Sequence, residues 1–109
     1  GIDLLEPKVR VDRFEEAIQI VRSLLREPRT TFAGEHFQVT DAPCDPKPVQ
    51  DPLPILVGTS SPRMLRLAAR WADEWNTWGT PERVIASLRA ASLAPAWLRQ
   101  IDRGAAALV

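Results

Sequence analysis

Hydrophobic residues recur every three or four positions from Val11 to Leu25, at Val11, Phe14, Ile18, Val21 and Leu25, with Ala17 and Leu24 beside them. That period predicts an amphipathic helix. Asp12 stands where it would cap the helix start, and Glu15, three residues on, takes the capping-box position. Arg26 and the Glu27–Pro28 step predict its end, because proline pushes the preceding residue out of helical backbone. The pattern then changes. In TTFAGEHFQVT, Thr30 to Thr40, β-branched and aromatic residues flank Ala33–Gly34–Glu35. This predicts a small hairpin whose turn uses Gly34 at positive φ. Next come Pro43, Pro46, Pro48, Pro52 and Pro54. Each proline fixes φ and removes a donor, so residues 42–54 are expected to form an extended, ordered crossing loop, with a disordered interdomain linker as the alternative.

Ile55 to Val57 is wholly apolar. A run without alternation suits a strand buried on both faces, as in a parallel sheet covered by helices. Ser61 is a favoured N-cap and Pro62 a favoured first helical residue. In the helix that follows, Leu65, Ala68, Trp71 and Ala72 form the inner stripe, with Met64 and Leu67 at its margins. Arg63, Arg66 and Arg70 take another face, with Asp73 near Arg70. Glu74 to Trp78 reads as a second strand, closed by Gly79. Thr80 and Pro81 open another helix with Val84, Ile85, Leu88 and Ala91 inside. Ala94 to Val109 carries helical spacing at Trp97, Ile101 and Leu108, interrupted by Gly104. The fold class is therefore α/β, with strands alternating with helices in right-handed parallel βαβ units.

Composition narrows the function classes. The 109 residues allow one domain at most, with a modest core. Fourteen basic residues balance fourteen acidic ones, which offers no nucleic-acid or acidic-membrane footprint. A single cysteine, Cys44, allows no internal disulfide and points to a reducing, cytoplasmic setting. No apolar run approaches the roughly 20 residues of a membrane helix, and no signal segment opens the chain. Two parallel strands alone leave open edges at Ile55 and Trp75. Either the chain self-associates, as a homodimer for example, or it is a piece of a larger α/β fold. The piece is the favoured expectation, and the first residue, Gly1, agrees with it.

The turn from Gly58 to Pro62 has the makings of an anion site. Gly58 has no side chain to keep a ligand from the backbone. Thr59, Ser60 and Ser61 offer hydroxyls, and the N–H groups of the helix start favour negative charge. A capped turn without ligand is the other reading. Arg63 offers a charge-assisted contact to a phosphate, or is a solvated arginine. Asn76 would line the pocket mouth, or cap and pack, and Trp71 is assigned to the core. His36, the only histidine, sits in the hairpin without a partner for general-base work and is assigned to surface or packing. Cys44, Asp41 and Asp45 are read as loop residues, Glu15 and Glu16 as helix cap and surface. No carboxylate pair, metal cluster or nucleophile triad can be assembled.

The stretches RVDRFEEAIQIVRSLL, TTFAGEHFQVTDAPCDPKPVQ and PLPILVGTSSPRMLRLAARWADEWNTWGTPERV, taken in order, resemble the luciferase-like monooxygenase superfamily. Within it they are most similar to oxidoreductases that use coenzyme F420, a deazaflavin. The resemblance runs from about Lys8 to Val84, and residues 85–109 diverge from it. It implies that the chain is the later part of a (β/α)8, or TIM, barrel, with a small inserted hairpin and a proline-rich loop. In such barrels the active site lies at the C-terminal ends of the strands. Gly58, Thr59, Ser60, Ser61, Pro62 and Arg63 would then meet the phosphate-bearing tail of F420, or alternatively of FMN. The groups that meet the reacting carbon come mostly from the barrel's first half, so no catalytic residue and no substrate are implied for this chain. The rival reading is a stand-alone, non-catalytic α/β module, dimeric or not, that binds a phosphorylated ligand or none.

Overall fold

The computed structural model describes residues 1–93, so the expected helical spacing of 94–109 lies outside the described residues. The fold class is α/β. The elements in order are α1 (Pro7–Arg26), β1 (Thr30–Ala33), β2 (Gln38–Ala42), β3 (Leu56–Gly58), α2 (Pro62–Trp71), β4 (Glu74–Asn76) and α3 (Pro81–Ala90). The chain divides into two compact units, one from Gly1 to Leu53 and one from Pro54 onward. No described helix is long and apolar enough to cross a membrane.

In the first unit α1 starts a turn earlier than the periodicity indicates. Pro7 opens it and Glu6 is the N-cap residue, without a side-chain cap bond. Proline suits the first turn because the missing N–H has no intrahelical partner there. Asp12 and Glu15 are therefore inside the helix and form no capping box. The C-terminus falls where expected, with the Glu27 N–H closing on the Ser23 carbonyl at 2.8 Å. Ile18 and Ile20 are buried, whereas Val21 is exposed, so the inner face is rotated from the expected stripe. Lys47 Nζ donates to the Leu24 carbonyl at 2.8 Å and to the Cys44 carbonyl at 2.9 Å. A cation at a helix C-terminus complements the dipole, and here it fastens the proline-rich loop to α1.

The hairpin forms as expected, antiparallel, with Phe32 opposite Val39, Ala33 opposite Gln38, and an irregularity between Thr30 and Phe32. Thr30 is 2 % exposed, and its hydroxyl lies 2.8 Å from that of Ser23 on α1, which satisfies a buried polar group. The turn spans residues 34–37, closed by the Gly34 N–H to the Phe37 carbonyl at 2.9 Å.

Glu16 holds this turn. Its carboxylate accepts the backbone N–H groups of Glu35 at 2.8 Å and of His36 and Phe37 at 2.9 Å each. Glu16 is thus a positioning residue and not a surface acid. Gly34 does not use positive φ; its need for glycine is close approach. A Cβ there would strike the Glu16 Oε2, with the Glu16 Cδ at 2.5 Å and the Phe32 Cε1 at 2.6 Å. Arg13 lies over the Phe37 ring, 4.8 Å from its centroid.

In the second unit, Leu56 pairs with Glu74, Val57 with Trp75 and Gly58 with Asn76, all parallel. β3 has the expected length but is shifted by one residue, and β4 is shorter than expected. β3 begins at Leu56, and β4 ends at Asn76 instead of Trp78. Val57 is buried but Leu56 is 55 % exposed, so burial on both faces does not hold for this strand. α2 begins at Pro62 as expected and ends at Trp71, leaving Ala72 as its C-cap. Leu65, Leu67 and Ala68 are buried, so Leu67 belongs to the core and not to its margin, and Trp71 is half-buried. Leu65, Leu88 and Ala91 form the core cluster of α2 and α3, with Trp75, Val84 and Leu93 packed around it. At the start of α3 the Thr80 hydroxyl accepts the Arg83 N–H at a long 3.4 Å. The adjacent Glu82 carboxyl is held below its ordinary value by its own backbone N–H and then by the Thr80 hydroxyl.

The Glu16 clasp has a testable signature. Desolvation raises its carboxyl, yet the three backbone donors and the nearby His36 outweigh this and set it below the ordinary 4.5. A carboxylate lowered on folding stabilises the fold above its unfolded value and loses that contribution as pH falls through its folded value. Glu16→Gln is therefore expected to lower the thermal midpoint at neutral pH and to flatten the acid limb of the stability curve below about pH 4.5. Amide exchange of Glu35, His36 and Phe37 should speed up with it. Gly34→Ala should displace the same carboxylate and cost about 1–3 kcal/mol. Because both changes remove one interaction, the double variant should be less destabilised than the sum of the singles.

Candidate functional site

A parallel strand pair joined by a helix leaves the C-terminal ends of both strands side by side. In the second unit these ends are Gly58 and Asn76, and the chain beyond each forms a pocket of about 350 Å³. Gly58, Thr59 and Ser60 line one side, Asn76, Thr77 and Trp78 the other.

The ladder continues one residue past β3. The Thr59 N–H donates to the Asn76 carbonyl at 3.1 Å, and the Thr59 carbonyl accepts from the Trp75 Nε1–H at 2.8 Å. Both backbone polar groups of Thr59 are therefore fixed by β4. Asp73, just before β4, fixes the other end of the crossover. Its Oδ2 accepts the Ile55 N–H at 2.9 Å, and its own N–H and that of Glu74 reach the Ile55 carbonyl at 2.9 and 3.1 Å. These bonds make the floor of the pocket a rigid piece of sheet.

Among the described residues, packing does not require a glycine at position 58. A Cβ there would come no nearer than 3.9 Å to the Asn76 carbonyl oxygen, an ordinary contact, and φ is not positive. Gly79 is different, since its φ of +133° is one that side chains rarely tolerate, and it turns the chain from the pocket rim toward α3. None of the six lining residues is charged, so no lining carboxylate would oppose an anion. Ser61 occupies the N-cap position of α2 without making a side-chain cap bond, in contrast to Thr80 on α3.

Of the residues singled out by sequence, Gly58, Thr59 and Ser60 are brought together on the pocket wall, and Asn76 faces them. Ser61, Pro62 and Arg63 lie beyond it. Ser61 and Pro62 are exposed at the helix start, and Arg63 is half-buried in the first turn of α2. The sequence pattern runs the second strand to Trp78 and places Trp75, Asn76 and Trp78 at or near its end; in the structure β4 stops at Asn76, and Thr77 and Trp78 form the rim. Trp75 was assigned no role by its sequence pattern, because a strand tryptophan does not announce where its N–H will go.

The family model of luciferase-like monooxygenases matches residues 3–107. An F420-dependent glucose-6-phosphate dehydrogenase of Nakamurella multipartita is 36% identical over 77 residues, 71% of this chain and 22% of the relative. An F420-dependent hydroxymycolic acid dehydrogenase of Mycobacterium tuberculosis is 36% identical over 66 residues, 61% of this chain and 18% of the relative. Among solved structures, an F420-dependent secondary alcohol dehydrogenase in complex with an F420-acetone adduct superposes with a TM-score of 0.65. It is 23% identical and covers 86% of this chain and 31% of its own, a likeness of fold. The chain spans about a fifth of the length of the curated relatives it matches.

Trp75→Phe removes the indole N–H together with part of the ring packed on the core. It is expected to cost about 1–3 kcal/mol. The Thr59 amide should lose hydrogen-exchange protection more than the amides of Leu56 and Val57.

Proposed function

The chain belongs to the luciferase-like monooxygenase family, and we propose that it supplies the phosphate-holding face of an F420-dependent oxidoreductase. In this reading β3, α2, β4 and α3 are successive units from the later part of a (β/α)8 barrel. The open edges of the two-stranded sheet and the exposed Leu56 are then surfaces that other barrel elements cover. The relatives' names favour a dehydrogenase over an oxygenase.

The observation that carries the reading is the bare backbone at Gly58, which the chain's packing leaves unexplained and which faces an uncharged pocket. A phosphate fits this donor set. The approach to Gly58 is unobstructed, Thr59 and Ser60 present hydroxyls, and α2 points its positive end at the same turn. Ser61 and Pro62 set the start of that helix. Arg63 in its first turn adds positive charge near the anion. FMN carries the same phosphate chemistry and is the alternative ligand.

When bound, the deazaflavin supplies hydride transfer. The residues of this chain bind and orient the tail, and the rigid β3–β4 floor keeps that anchor from shifting. No residue of this chain is assigned to the proton or hydride step.

Gly58→Ala separates folding from binding. Its Cβ has room within the chain, so the thermal midpoint should hold or rise slightly, by up to about 1 kcal/mol of stability. Affinity for F420 or FMN, followed by quenching of cofactor fluorescence, should fall about tenfold or more, equivalent to about 1.4 kcal/mol. If the folded wild-type chain binds neither cofactor, or Gly58→Ala binds as tightly as wild type, the reading fails.

A further inference from the structure

Three tryptophans fall among the described residues, and they are treated differently. Trp75 is half-buried and its N–H is spent on the Thr59 carbonyl. Trp71 is half-buried beneath the Arg70 guanidinium, which lies 4.9 Å from its ring centroid. Trp78 is 98 % exposed, on the pocket rim. An indole left wholly in water adds nothing to the stability of the unit that carries it. It follows a short strand and precedes Gly79, whose positive φ turns the chain away just after it. Gly58, Thr59 and Ser60 line the same pocket as Trp78, together with Asn76 and Thr77. The pocket thus joins an anion-suited wall to an aromatic one.

We infer that Trp78 is a specificity-determining residue of this pocket, a platform on which the flat face of a ring stacks when that ring is linked to a phosphate. The inference rests on the proposed phosphate role of the Gly58 turn and adds the second half of the ligand. An indole face offers dispersion and π contact to a conjugated ring, and an apolar bed to the C–H face of a sugar ring. Asn76 and Thr77 supply a donor and acceptors for the ring's polar edge. A pocket of about 350 Å³ is at the small end of the range that holds small ligands, so it suits a phosphate plus one compact ring system. Inorganic phosphate would use only the Gly58 side and ignore Trp78. Because Trp78 is 98 % exposed among the described residues, replacing it should leave the thermal midpoint unchanged.

The test uses the 109-residue chain and four probes: FMN, riboflavin, glucose 6-phosphate and inorganic phosphate. Wild type, Trp78→Ala, Trp78→Phe and Gly58→Ala are titrated, with flavin fluorescence for direct binding and displacement of FMN for the others. Trp78→Ala should weaken FMN by about 5- to 100-fold, Trp78→Phe by no more than about threefold, and neither should change the constant for inorganic phosphate. FMN should also shield wild-type tryptophan emission from acrylamide, and the shielded component should be missing in Trp78→Phe. Glucose 6-phosphate losing the same factor as FMN identifies a sugar ring as an accepted face; FMN alone losing it identifies a conjugated ring. If Trp78→Ala binds FMN like wild type while Gly58→Ala does not, the inference is overturned and the phosphate role stands. If riboflavin binds as tightly as FMN and Trp78→Ala weakens both, the phosphate role falls and the aromatic platform remains. Absence of saturable binding by every ring-bearing probe overturns the inference.

Discussion

The pocket depends on one length of parallel ladder. Residues 55–59 are clamped to 73–76 at both ends, by Asp73 at the start of β3 and by the Thr59–Asn76 bond at its finish. Parallel strands cannot be joined by a tight turn, so a helix must intervene, and α2 is that helix. Its placement over the pair brings Leu65 into a core with Leu88 and Ala91 of α3. The strand ends are thereby fixed beside each other, and the turn at Gly58 has no freedom to drift. The Trp75 indole adds the last restraint by occupying the Thr59 carbonyl. An anchor for a charged tail gains from such rigidity, because little ordering remains to be done on binding.

Much of the fold could be read from the sequence because its signals were local. The Ser61–Pro62 and Thr80–Pro81 pairs mark two helix starts, and the Glu27–Pro28 step marks a helix end. The order of elements followed from the alternation of apolar runs. What failed depended on neighbours. Asp12 and Glu15 match a capping box in spacing, but Pro7 offers an earlier start and the helix takes it. Leu56 looks buried because its strand is wholly apolar, yet burial needs a second layer on that face, and the described residues do not provide one. Val21 fits the helical stripe, but the faces that bury Ile18 and Ile20 decide the rotation.

The site shows the same division. Gly58, Thr59 and Ser60 line the pocket together because they follow one another at the end of β3, a placement that a glycine and hydroxyls after an apolar strand make visible in the sequence. Ser61, Pro62 and Arg63 open the helix that follows and do not line the pocket. Thr77 and Trp78 come from a different strand end. Their juxtaposition with Gly58 is a product of the crossover, and no short window of sequence contains it.

The clasp between α1 and the hairpin changes what the hairpin's own letters mean. Glu16 hydrogen-bonds amides, with the His36 side chain adding only a smaller charge contribution, so Glu35 and His36 hold the turn mainly through groups that almost every amino acid possesses. The information that specifies the turn is therefore stored elsewhere, nineteen residues upstream of the first amide it binds. Evolution is left free to rewrite the tip of the hairpin, to recolour its charge or to lengthen its side chains, so long as Gly34 stays bare and Glu16 stays acidic. A surface that can vary while its frame is held from a distance is a natural place for lineages to diverge.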